Sequence, residues 1–120
     1  MFSRCYTLTG AKLVEVGTKQ KSSLDDLEQS IDSDTAAIAY WIQPPDNPKI
    51  PSLKETVDFA KRKGIPSLAD ACSQIYPLEY FRKNAQSADL VSFGGKYFGG
   101  PHSSGFVCGK ADLILSLIHI

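Results

Sequence analysis

Three short apolar runs, separated by helical patterns, constrain what this chain can fold into. Ala36-Ala37-Ile38-Ala39-Tyr40-Trp41-Ile42 is continuous and apolar, the pattern of a strand buried on both faces. Ile65 to Ala69 and Ala88 to Phe93 read as further buried strands. Between them lie helix signals. Ser22 or Ser23 caps a helix running to Ser30, with Leu24, Leu27 and Ile31 at helical spacing and Asp25 and Asp26 in the first turn. Ser52-Leu53-Lys54-Glu55 is a capping box, Leu53, Val57 and Ala60 follow on one face, and Gly64 ends the helix. Tyr80 to Asn84 reads as a short helix. A turn at Gly10 leads into an expected strand at Lys12 to Val16, Gln43 to Pro48 is a proline-rich loop, and Ser104 to Cys108 is an expected final strand. Strands alternating with helices predict an α/β fold with a mostly parallel sheet. Ligands of such sheets lie beyond the carboxyl ends of the strands, where Asp70 and Lys96 fall.

Size and charge narrow the functional classes. The 120 residues suffice for one core. Thirteen basic and thirteen acidic residues cancel, so charge gives no support to a nucleic-acid partner, and none is expected. No apolar run approaches the roughly 20 residues of a membrane span. The start, Met1-Phe2-Ser3-Arg4-Cys5, lacks an apolar signal core. Cys5, Cys72 and Cys108 are widely spaced and form no CxxC pair, so neither a disulfide framework nor a metal site is expected, and the cytoplasm is the expected compartment.

Ser92-Phe93-Gly94-Gly95-Lys96-Tyr97-Phe98-Gly99-Gly100-Pro101 is the most informative segment. Lys96 stands among four glycines, which let a ligand approach the backbone. It does not satisfy the P-loop pattern, since Tyr97 replaces the required Ser or Thr, and GxGxxG is absent. An isolated lysine here reads as a solvated turn residue, and an isolated Asp70 as a turn or cap. Together they suggest a pyridoxal 5'-phosphate site, in which a lysine amine holds the cofactor aldehyde and an aspartate faces the pyridinium nitrogen. Opposite charge keeps that nitrogen protonated, and the lysine, once released, can serve as a base at the substrate α-carbon.

On these residues the chain resembles fold type I pyridoxal-phosphate enzymes, in particular the selenocysteine synthase-like family with its D-glucosaminate-6-phosphate ammonia-lyase-like members. The resemblance is carried by Gly10-Ala11-Lys12-Leu13-Val14-Glu15-Val16-Gly17-Thr18, Asp70-Ala71-Cys72-Ser73-Gln74, Ala88 to Phe93, and Gly94-Gly95-Lys96 through Gly99-Gly100-Pro101-His102-Ser103-Ser104-Gly105. It implies a partial, mostly parallel sheet from the large domain of such a transferase, with Lys96 as the catalytic, cofactor-holding lysine and Asp70 as the pyridinium partner. It also implies Gln74 near the cofactor's phenolic oxygen, Ser92 at its phosphate and His102 at the substrate mouth. Phe93 stands three residues before the lysine, where the family more usually has a hydroxyl, and His102 stands where glutamine is common.

The implied activity is that of a lyase or transferase acting on an amino acid or amino-sugar acid, by α-proton abstraction and β-elimination, in a homo-oligomer whose active sites are shared between subunits. An upstream phosphate-binding turn, a stacking aromatic and a small domain are absent from these residues, so a fragment inactive by itself is expected. Residues 1–114 are expected to be a piece of the large domain. Leu115-Ser116-Leu117-Ile118-His119-Ile120 back-translates as CTG TCT CTT ATA CAC ATC, resembling a sequencing-adapter transposase end, so residues 115–120 are expected to be a non-native tail. The alternatives are a truncated non-catalytic product and a flavodoxin-like module holding a nucleotide at the glycine loop.

Overall fold

In a computed structural model, residues 6–18, 20–43 and 47–119 are described. Their elements run α1 (Leu24–Gln29), β1 (Ile38–Trp41), α2 (Leu53–Lys63), β2 (Ser67–Cys72), α3 (Leu78–Ala85), β3 (Leu90–Gly94), a 3-10 turn (Gly95–Phe98), β4 (Gly105–Gly109) and α4 (Ala111–Ile118). The sheet order is β1-β2-β3-β4. β1, β2 and β3 are parallel, and β4 returns antiparallel beside β3. The expected α/β architecture with a mostly parallel sheet is therefore present.

Local chemistry accounts for the helices. Ser23 caps α1 and Ser52 caps α2, each in a full capping box, with Asp26 and Glu55 reaching back to the cap backbone. Gly64 closes α2 at φ 69°, a left-handed turn that glycine adopts without a side-chain clash. Phe59 and Ala60 of α2 pack with Ile38 and, around them, Leu24, Leu27, Ile31 and Ile65. The second cluster joins Ile42, Ala69, Ala71, Val91 and Phe93, with Phe81 and Ala85 of α3 against it. This second cluster lies on the apolar face that alternates with period two along β2 and β3.

Three expectations are corrected. Residues 11–16 form no strand: Leu13 to Val16 line a cavity of about 440 Å³ beside Ile38 to Trp41 instead of joining a ladder. β1 is not buried on both faces: α2 packs against Ile38, whereas on the other face Ala39 is exposed and Trp41 is 48% exposed. β2 runs on to Cys72, so Asp70 lies inside the strand and not at its end. Within the expected proline loop, Pro44 to Asp46 lie outside the described residues, as does Cys5.

A polar cross-link sets the amino ends of β2 and β3. The buried Ser67 donates its backbone N–H and its hydroxyl to Asp89 Oδ2, both at 2.8 Å, and its Oγ accepts from the Asp89 N–H at 3.0 Å. Lys110 pairs with Asp89 Oδ1 at 2.6 Å and donates its N–H to the Asp89 carbonyl at 2.9 Å. Burial alone would push the Asp89 carboxyl up, but the Lys110 ion pair and the Ser67 hydrogen bonds outweigh it and hold the carboxyl below its ordinary range. A depressed folded pKa contributes stability that is complete above the unfolded pKa and is lost as pH falls through the folded value. Asp89→Asn is therefore expected to lower stability at neutral pH by about 1–3 kcal/mol and to flatten the acid limb of a pH-stability curve measured by urea unfolding. Leu115, Leu117 and Ile118 on α4 are 54%, 48% and 70% exposed, so deletion of residues 115–120 is expected to change the unfolding free energy by no more than about 1 kcal/mol.

Candidate functional site

The site is built on the pairing of β2 with β3. In register, Asp70 faces Ser92, and on the other side of β2 Trp41 faces Asp70. Register partners in parallel strands share a face, so Trp41, Asp70 and Ser92 form a row on the face opposite Ala69, Ala71, Val91 and Phe93. The Ser92 hydroxyl donates to Asp70 Oδ1 at 3.2 Å, and the Cys72 backbone N–H donates to the same oxygen at 3.0 Å. That second donor comes from a bulge: the β2–β3 register shifts between Asp70 and Cys72, and Cys72 sits at φ 41°. Among the described residues, both hydrogen bonds fall on Oδ1, which leaves Oδ2 to accept from a ligand.

Lys96 lies on the 3-10 turn that follows β3 directly. Its side chain is exposed, its Nζ stands 5.1 Å from the centroid of the Tyr97 ring, and it forms no ion pair among the described residues. The turn is anchored by aromatic contacts. Phe98 meets Phe81 of α3 at 5.3 Å and Phe106 of β4 at 5.1 Å, both edge to face, and Phe93 packs on Phe81 at 5.0 Å and on Phe106 at 5.3 Å. The backbone closes the loop as well: Gly95 N–H donates to the Ser104 carbonyl at 2.8 Å and Gly100 N–H to the Gly95 carbonyl at 3.0 Å. Gly95 is required by this approach, since a Cβ there would lie 2.3 Å from Ser104 Oγ and 3.2 Å from the Ser104 carbonyl carbon.

The expected site residues divide into two groups. Asp70 and Ser92 are brought into direct contact. Gln74 follows β2, while Lys96 and His102 follow β3; because these strands are parallel, all three lie at the same end of the sheet. Gln74 is half-buried, with its N–H donating to the Ala71 carbonyl at 2.7 Å and its carbonyl accepting from Asn84 Nδ2 at 3.3 Å. His102 is exposed in the turn between Pro101 and Ser104. Sequence reasoning missed the Cys72 N–H and Trp41. The first has a sequence signal, an aspartate two residues ahead of the donor it binds, as in an Asx turn; the second emerges only once the strands are in register.

These residues fit pyridoxal phosphate on chemical grounds. A primary amine with no ion pair among the described residues stands on the turn after β3, and a carboxylate with one oxygen held and the other open stands within the adjacent parallel strand β2, beside a backbone loop free of bulky side chains at Gly94 and Gly95. Gly95→Ala is expected to destabilise the fold by about 1–3 kcal/mol in chemical denaturation, because the added methyl must displace Ser104 and with it the loop that carries Lys96.

Comparison with known proteins follows this geometry. A model of the L-seryl-tRNA selenium transferase family matches residues 5–119. The chain is similar to the L-seryl-tRNA(Sec) selenium transferase of Nautilia profundicola, at 34% identity over 88% of this chain and 27% of that protein. It is also similar to a 5'-C-glycyluridine monooxygenase-decarboxylase of a Streptomyces species, at 29% identity over 89% of this chain and 27% of that protein. The solved structure of a D-glucosaminate-6-phosphate ammonia-lyase superposes with a TM-score of 0.74 at 30% identity, over 89% of this chain and 28% of that one. The chain thus spans about a quarter of the length of these relatives. The superposition bears out the expected mostly parallel α/β sheet of the fold type I kind. With nearly every residue matched by one family model, the chain belongs to the L-seryl-tRNA selenium transferase family.

Proposed function

We propose that the chain is the lysine- and aspartate-bearing segment of a pyridoxal-phosphate-dependent lyase or transferase of the relatives' length, working as a cytoplasmic homo-oligomer on an amino acid or amino-sugar acid. The observation that carries this is the placement of Asp70 within β2 and of Lys96 on the turn directly after the adjacent parallel β3, with the Asp70 carboxylate held through one oxygen only. When bound, pyridoxal phosphate supplies an aldehyde that links to amines and a ring that accepts electrons from the substrate α-carbon. Lys96 would hold the cofactor through Nζ and, when released, would take the substrate α-proton on that nitrogen, while the bound group would supply the electron sink that lets a β-substituent leave with its bonding pair. Asp70 offers Oδ2 to the pyridinium N–H. Gln74 and His102 border the same end of the sheet and face the cofactor oxygen and the substrate, respectively.

A specific observation supports a second substrate class. Several relatives are named for seryl-tRNA, and the Nautilia protein shares 34% identity with this chain. Balanced charge argues for a small substrate, so a gel shift with total tRNA separates the two classes: binding would assign the aminoacyl-tRNA substrate.

The test of the cofactor assignment uses protein expressed from the complete genomic reading frame, loaded with pyridoxal phosphate, reduced with borohydride and mapped by peptide. The label is expected on Lys96. Lys96→Ala should abolish both the label and turnover, whereas Asp70→Ala should reduce turnover about a hundredfold or more while labelling persists, because the carboxylate stabilises ring charge but forms no covalent bond. A label on Lys63 or Lys110 with Lys96 unmodified would overturn the assignment.

A further inference from the structure

We propose that Ser92 is a positioning residue that acts on the cofactor through Asp70 and is not a ligand of the cofactor phosphate. This rests on the cofactor assignment above. β3 alternates so that Val91 and Phe93 enter the core while Ser92 lies on the opposite face, in register with Asp70. Its hydroxyl is spent on Asp70 Oδ1 at 3.2 Å. An aspartate carboxylate rotates about a soft terminal torsion, and one hydrogen bond leaves it free to swing. Here two donors reach the same oxygen from different strands: the Cys72 N–H comes from the β2 bulge, and the Ser92 hydroxyl comes from β3. Between them they fix the carboxylate plane and present Oδ2 outward, where the pyridinium N–H is to be met. The position three residues before Lys96, where a phosphate-binding hydroxyl would be expected, is Phe93, which is 3% exposed and stacked among Phe81 and Phe106. Lacking a hydroxyl there, the strand uses Ser92 to hold the acid.

The experiment compares binding of pyridoxal phosphate with binding of pyridoxal, which lacks the phosphate, in protein from the complete reading frame. Ser92→Ala is expected to weaken both ligands alike, by about three- to tenfold, and to shift the absorption of the bound chromophore. Ser92→Thr, which keeps the hydroxyl and suits a strand, should restore both. In an Asp70→Ala background, Ser92→Ala should add nothing, since its only target has gone. Circular dichroism of each variant reports folding. Weakening confined to pyridoxal phosphate would make Ser92 a phosphate ligand, and an equal loss in the Asp70→Ala background would make its role independent of the acid; either result overturns the proposal. Wild-type protein that binds neither ligand would instead overturn the cofactor assignment itself, a separate failure read before any Ser92 variant is compared.

Discussion

The pairing of β2 with β3 is the constraint on which the site depends. A one-residue slip between two strands turns every side chain of the slipped strand to the opposite face. Here that would bury Asp70 and expose the alanines of the core. Two polar cross-links hold the register from either end. Ser67 and Asp89 exchange three hydrogen bonds at the amino ends. Asp70 and Ser92 meet further along the same two strands. Apolar contacts between Ala69, Ala71, Val91 and Phe93 supply the non-directional attraction; the hydrogen bonds select one alignment from those that attraction would allow.

Beyond the strands, the lysine is carried by an irregular backbone, and its position comes from aromatic packing. Phe98 lies in the same short turn as Lys96 and is gripped between Phe81 and Phe106. Those rings come from α3 and β4, elements on either side of the turn in sequence. The antiparallel return of β4 thus has a function: it brings Phe106 and the Ser104 backbone back onto the glycine loop. A loop of glycines thereby becomes a defined support for the Lys96 side chain.

The edge of the sheet has a different character. β1 leaves Trp41 half exposed beside Asp70 in register, and residues 13–16 line a cavity along it without pairing. Continuous apolar sequence normally marks a strand covered on both faces. Among the described residues the pattern outruns the burial, because α2 covers the Ile38 face and leaves Ala39 and Trp41 exposed on the other.

By itself the sequence determined the local features. The helix caps, the Gly64 stop, the short apolar runs and the glycine cluster around Lys96 are each written within a few residues, and short-range hydrogen bonding and backbone sterics make them act where they stand. That is why α1, α2, β2, β3 and the candidate pair Asp70 and Lys96 were legible. Tertiary structure alone decided what each side chain meets: that residues 12–16 join no ladder among the described residues, that β4 runs antiparallel, that β2 bulges at Cys72, and that Ser92 turns its hydroxyl to Asp70. Those outcomes depend on register between strands far apart in the chain. Register follows from the combined packing and hydrogen bonding of whole strands, and no single residue carries it.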